Sequence, residues 1–363
     1  MDTSFRLIKA LHRQPVDSTP IWFMRQAGRY LKEYRLLREK SGGFLTMCKT
    51  PEIACEITLQ PLQRFDVDAA IIFSDILTIP DAMGLGLHFE TNEGPQFDRP
   101  IRTKADVDRL PIPDPLLDLG YVMEAISLVA SAQSKVPVIG FCGSPWTVAT
   151  YMVEGKGSKT FSIIKSMMYQ NPDILFELLI KLTHASCLYL EAQIEAGAKA
   201  LMIFDTWGGI LAGHQFEQFS LFFLKEIVAY LKLRYETIPV ILFTKQGGQW
   251  LEGLADTGCD ALGIDWTIDM ASARRRVGDR VALQGNVDPA VLYAPDVVIH
   301  HEVRRVLEAY GSGPGHIFNL GHGIAPDMSP EKVQVMIEAV REYSKSPVRH
   351  NGLRLVKTTS EEA

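Results

Sequence analysis

Eight short apolar runs recur along this chain, and in none of them do polar residues alternate with the apolar ones. They fall at 20–24, 69–73, 138–143, 200–205, 240–244, 261–265, 281–285 and 316–320. Continuous apolar runs mark strands buried on both faces, as in a parallel sheet. Helical patterns fit between them. Thr50-Pro51-Glu52, Asn171-Pro172-Asp173 and Ser329-Pro330-Glu331 each read as an N-cap followed by proline at the first helical position. Gly197 and Gly258 stand where a helix should stop before the next strand. Eight strands with helical crossovers predict a single-domain α/β chain folded as a (β/α)8 TIM barrel. A doubly wound open sheet is the rival, but no GxGxxG follows the first run. The 363 residues suit a barrel with insertions.

Two segments break the repeat. Residues 79–117, rich in proline and glycine, read as a long excursion between the second and third strands. The polar stretch 347–363 reads as a C-terminal tail that frays, leaving 1–346 for the barrel.

The net charge of -6 argues against a general nucleic-acid partner, and no run reaches the roughly 20 apolar residues of a membrane span. The N-terminus carries Asp2 and no apolar signal core, so no export is expected. The 5 cysteines (Cys48, Cys55, Cys142, Cys187, Cys259) are odd in number and widely spaced. Neither a disulfide framework nor a zinc knuckle fits them, and a reducing, cytoplasmic setting is the simple reading.

Barrel active sites lie at the C-terminal ends of the strands. That rule selects Arg25 and Arg29, Ser74 and Asp75, Ser144 with Tyr151 beyond it, Asp205-Thr206-Trp207, Lys245, Asp265, Asn286, Asp288 and His322. The set holds arginine and few metal ligands. Two arginines four apart suit bidentate recognition of carboxylate or phosphate, with Gly28 allowing a close approach or an inward turn. Alternatively they form a surface pair bound to local glutamates such as Glu33. Asp75 either caps a helix or is aimed into the pocket. In the pocket, two neighbouring arginines would lower its pKa and keep it ionised. His322, between two glycines, reads equally as a general acid, a hydrogen-bond donor or a loop histidine satisfied by backbone. Tyr151 and Thr206 are weaker candidates, and Trp207 with the glycine pair after it reads as a tight turn.

Four blocks carry a resemblance. "PIWFMRQAGRY" (20–30) and "GFCGSPWTVATYMVEG" (140–155) resemble the two signature segments of the uroporphyrinogen decarboxylase family. "FSDIL" (73–77) and "NLGHGIAPDMSPE" (319–331) are similar to further blocks of it, and the likeness runs from about residue 4 to 346. The resemblance implies a cofactor-free, metal-free homodimeric barrel in the cytoplasm, serving heme and chlorophyll synthesis. Such an enzyme removes the carboxyls of four acetate side chains from uroporphyrinogen III, giving coproporphyrinogen III and carbon dioxide. It also implies that Arg25 and Arg29 grip substrate carboxylates and that backbone from Gln26 through Ala27 to Gly28 touches substrate. Asp75 would bind the pyrrole N–H groups and stabilise a cationic intermediate, while Tyr151, Thr206 and His322 line the pocket. Some family members have serine at the position of Thr206. The proton donor stays open between Arg25, His322 and water.

Two competing readings have discriminating features. Zinc-dependent methyltransferases acting on corrinoid proteins or coenzyme M share the fold but need a His-x-Cys pair and a later cysteine. The fifth run ends in Thr244-Lys245-Gln246 instead. A tetrapyrrole carrier without turnover would be expected to lack Asp75 or an arginine.

Overall fold

Seven of the eight apolar runs form one parallel sheet. The structure, a computed structural model, describes residues 5–90, 94–133 and 135–345. The strands of the sheet are β1 (Ala70–Ile71), β4 (Val138–Gly143), β5 (Ala200–Asp205), β6 (Val240–Thr244), β7 (Ala261–Gly263), β8 (Ala282–Gln284) and β9 (His316–Ile317), hydrogen-bonded in that order. Between β1 and β4 the chain adds an antiparallel hairpin of β2 (Leu87–Glu90) and β3 (Gly94–Phe97). The segment 79–117 is therefore a structured insert, with this hairpin and the helix Lys104–Asp108 inside it.

The expected first strand is not a strand. Only Ile21 bridges, in parallel, to Phe318. Three of four successive N–H groups donate to side chains: Ile21 to Asp68 Oδ2 (2.7 Å), Phe23 to Gln26 Oε1 (3.3 Å) and Met24 to Asn319 Oδ1 (3.2 Å). Side chains have displaced the ladder that a strand would make. The segment still joins the two edges of the sheet. The Pro20 carbonyl accepts the Phe318 N–H (2.8 Å), and the Ile21 carbonyl accepts the Asp68 N–H (2.7 Å). The sheet thus curls into a TIM-barrel-like form closed by 20–24 instead of by an eighth strand.

β4, β5 and β6 are buried along almost their whole length, as continuous apolar strands should be. Inside the barrel, the indole N–H of Trp22 donates to Gln284 Oε1 (2.9 Å), which satisfies two buried polar groups at once. Outside it, the helix Pro172–Glu195 buries Leu175, Leu178, Leu179 and Leu182, the spacing of one helical face. Proline opens the helices Pro51–Arg64, Pro172–Glu195 and Pro330–Ser344 as expected. Only Ser329 caps with its side chain, however, accepting the Glu331 N–H (3.2 Å). Thr50 Oγ1 donates back to the Thr46 carbonyl instead, and Asn171 makes no cap bond. The tail 347–363 lies outside the described residues.

Candidate active site

At the C-terminal ends of the strands a cavity of about 850 Å³ opens. Arg25, Gln26, Ala27, Gly28, Arg29, Asp75, Tyr151, Thr206 and His322 all line it. Every residue that the family resemblance assigns to the site is therefore brought together on one cavity wall, whereas Ser144, Asp205, Trp207, Lys245, Asp265, Asn286 and Asp288 do not line it.

The turn after Met24 is made by Arg25 itself, at φ +60°. A side chain there costs on the order of 1–3 kcal/mol and persists only where surrounding contacts enforce it. Gly28 has no such backbone, and a Cβ on it would meet only ordinary contacts. Of the two alternatives for Gly28, the inward turn therefore needs no glycine at that position. Gly323 has the steric role instead, since any Cβ there would run into the Arg25 side chain. The Ile324 N–H donates to the Met24 carbonyl (3.1 Å), tying the Gly321-His322-Gly323 loop to the arginine turn. The Gln26 side chain is taken up within the turn. Its amide bridges the Phe23 N–H and the Ala69 carbonyl, which fixes the turn on the sheet edge.

Among the described residues neither Arg25 nor Arg29 has an ion-pair partner. Glu33, the local alternative, lies against Arg64 (3.5 Å). The protein packed around the Arg25 guanidinium lowers its pKa, opposed by Tyr151 and Asp75 and reinforced by Arg29. Two guanidiniums on one cavity wall, without an ion-pair partner among the described residues, have the chemistry to recognise a carboxylate or phosphate.

Asp75 lines the cavity and accepts the Leu77 N–H (2.7 Å) within a turn; the helix Thr78–Ala82 that follows has no side-chain cap, so the helix-cap alternative is not what the structure shows. Its pKa moves opposite to expectation, although the carboxyl stays mostly ionised at neutral pH. Burial pushes its pKa up from 3.8 to about 6, more than the Leu77 N–H and Arg25 pull it down. His322 is pushed down to about 4 by burial, with Arg25 and Lys245 adding to the effect. It is neutral at physiological pH, which suits a hydrogen-bonding role better than that of an imidazolium acid. Burial also raises the Tyr151 pKa, keeping the phenol protonated.

The sequence reading missed Arg38, a third cation on the cavity wall, and an aromatic run beside it. Tyr34 meets Phe73 edge-on (5.8 Å), Phe73 meets Phe44 (5.7 Å), and Phe44 meets Phe89 on the hairpin (4.9 Å). Spacing four residues apart puts Tyr34 and Arg38 on one face of the helix Lys32–Lys40, a signal the sequence did carry. Other strand-end residues turn out to be structural. Asp265 accepts the Gln246 and Thr267 N–H groups, Asn286 donates to the Asp265 and Ile268 carbonyls, and Asp288 caps the turn at Ala290. All five cysteines are free and buried. Among the described residues no three His, Cys, Asp or Glu side chains converge as a metal site would need.

The family model described as uroporphyrinogen decarboxylase (URO-D) matches residues 3–343. The chain belongs to the uroporphyrinogen decarboxylase family. Curated relatives named uroporphyrinogen decarboxylase, from Klebsiella pneumoniae and Escherichia fergusonii, are each 59% identical over 342 residues, covering 93% of this chain and 97% of theirs. The fold has wider likenesses. A methyltransferase from Methanosarcina mazei superposes with a TM-score of 0.78 at 24% identity, over 93% of this chain and 98% of that one. A B12-independent methionine synthase from Shewanella reaches 0.53 at 9% identity, over 81% and 86%. At such identities these likenesses speak for the shared barrel alone. The family match and the 59% relatives favour a decarboxylase over the methyltransferase alternative.

Proposed function

We propose that this chain is a carboxy-lyase that takes the four acetate carboxyls from uroporphyrinogen III and releases coproporphyrinogen III and carbon dioxide. The observation that carries the reading is that Arg25 and Arg29, with no ion-pair partner among the described residues, share one cavity with Asp75. A macrocycle ringed by carboxylates, with N–H groups at its centre, is the complement of cations around a single carboxylate.

Each residue has a part that its setting supports. Arg25, Arg29 and Arg38 hold carboxylates at the periphery. Asp75 accepts the pyrrole N–H groups. A proton adds to a ring carbon and makes the pyrrole cationic, and ionised Asp75 lowers the energy of that cation. The bond to the carboxylate then breaks, its electrons flow into the ring to neutralise the cation, and carbon dioxide leaves. Protonation of the exocyclic carbon and loss of the ring proton complete the methyl group. Because the substrate accepts the electrons, the scheme needs no external electron sink. Neutral His322, Tyr151 and Thr206 supply hydrogen bonds along the wall. Arg25, with a lowered pKa beside Asp75, is the proton donor we favour over His322, whose own pKa leaves it unprotonated.

The proposal extends to a cytoplasmic homodimer acting in heme or chlorophyll synthesis, with the barrel within 1–346 sufficient for catalysis. Among the described residues no helix is long and apolar enough to cross a membrane.

Anaerobic incubation of metal-stripped protein with uroporphyrinogen III, followed by chromatography of the oxidised products, tests the reaction. Stepwise loss of four carboxyls is expected. No loss, with zinc restoring a methyl transfer, would overturn it.

A further inference from the structure

Asp205 is a buried carboxylate that no step above uses. It ends β5, is 0% exposed, and has no cation partner among the described residues. Four hydroxyls surround it. Ser144 Oγ (2.5 Å) and Thr147 Oγ1 (3.0 Å) donate to Oδ1, and Ser220 Oγ (2.7 Å) and Thr244 Oγ1 (3.4 Å) donate to Oδ2.

A hydroxyl that donates to a carboxylate keeps its lone pairs for other donors. Two of these hydroxyls use them. Ser144 Oγ accepts the Thr147 N–H (3.0 Å) and so caps the helix Pro145–Glu154. Thr147 Oγ1 accepts the Trp207 N–H (3.0 Å). The indole N–H of Trp146 donates to the Trp207 carbonyl (2.9 Å). The first turn of the helix thus holds both backbone polar groups of Trp207, while its neighbour Asp205 anchors that turn.

Thr206 lies between Asp205 and Trp207, and Tyr151 lies on the anchored helix. Both line the cavity. The Trp207 ring also packs on Tyr151 at 6.0 Å between centroids. The glycine pair that read as a tight turn has a steric reason here. A Cβ on Gly208 would collide with the Asp205 carboxylate, and one on Gly209 with the Lys245 carbonyl.

We propose that Asp205, acting through Ser144 and Thr147, is a positioning residue that fixes Thr206 and Tyr151 relative to each other on the cavity wall. The inference rests on the decarboxylase reading, since its effect is read in that turnover.

The test is a double-mutant cycle. Thr147→Val removes the hydroxyl and Thr147→Ser keeps it. Each is made in the wild type and in Thr206→Ala, and kcat, KM and thermal midpoint are measured. Misplacing a site group by about 1 Å costs up to about a hundredfold, so Thr147→Val should lower kcat/KM about tenfold, chiefly in kcat. Thr147→Ser should restore the rate to within about twofold, and in Thr206→Ala the valine should cost less than about threefold. Asp205→Asn should follow the same pattern, and if it does not fold the Thr147 variants decide. Wild-type kinetics in Thr147→Val, or losses that multiply in the double variant, would overturn the proposal. An inactive wild type would overturn the decarboxylase reading instead, so the two failures are distinct.

Discussion

Two carboxylates stand at the C-terminal side of the barrel, Asp75 beyond β1 and Asp205 at the end of β5, and they are treated in opposite ways. Asp205 is enclosed by four hydroxyl donors. Asp75 accepts one backbone N–H at its side chain and lines a cavity whose arginines have no ion-pair partner among the described residues. A saturated carboxylate has no capacity left for a ligand and holds its surroundings in place. An unsaturated one beside unpaired cations is stabilised fully only when a ligand arrives. The difference separates frame from site more sharply than residue type does.

Asp75→Asn tests the open carboxylate and should show the largest effect. Turnover of uroporphyrinogen should fall by on the order of 10²–10³, because the developing cation loses its fixed counter-charge. The thermal midpoint at neutral pH should not fall, and a collapse of the fold would make Asp75 a frame residue like Asp205. The converse holds for Asp205→Ala, which strips the acceptor from four buried hydroxyls. It should lower stability by about 2–4 kcal/mol, read as the midpoint of urea unfolding. An unchanged midpoint would mean that the hydroxyls re-pair without it.

A smaller effect is expected at the arginine turn. Gly323→Ala would force the Arg25 side chain aside, so kcat/KM should drop about tenfold with little loss of stability. Full activity would show that Arg25 has room to move. The pH profile gives the mildest test. The folded pKa of Asp75, about 6, lies above its ordinary 3.8, so the folded state binds that proton more tightly. Stability contributed by this proton is therefore present below about 4 and is lost as pH rises to about 6, a slope that Asp75→Asn should lack. Activity runs the other way, with kcat/KM falling as pH drops through about 6 and Asp75 is neutralised. A profile flat down to pH 5 would place the ionised carboxylate elsewhere.

Much of this was legible beforehand. β4, β5 and β6 begin and end where the apolar runs do, because strands buried on both faces leave an unbroken apolar record. The placement of Arg25, Asp75, Thr206 and His322 in one cavity followed from the rule that barrel sites form at strand ends. The segment 20–24 departs from a strand for a physical reason. Its composition is that of a strand, but Asp68, Gln26 and Asn319 take its N–H groups, and two of these three are far away in the chain. The hairpin that brings Phe89 to the cavity was hidden in a proline- and glycine-rich stretch with no clear period.

The sequence by itself determined the barrel, the position of the arginine pair at the end of its first run, and the absence of a metal-ligand spacing. It could not determine charge. Whether an arginine is paired, whether Asp75 titrates near 4 or near 6, and whether His322 carries a proton all depend on burial and on partners from other strands. The same holds for Asp205, which reads as one more strand-end carboxylate until Ser144, Thr147, Ser220 and Thr244 close around it. Pairing and desolvation are properties of the packed interior, and only the tertiary structure sets them.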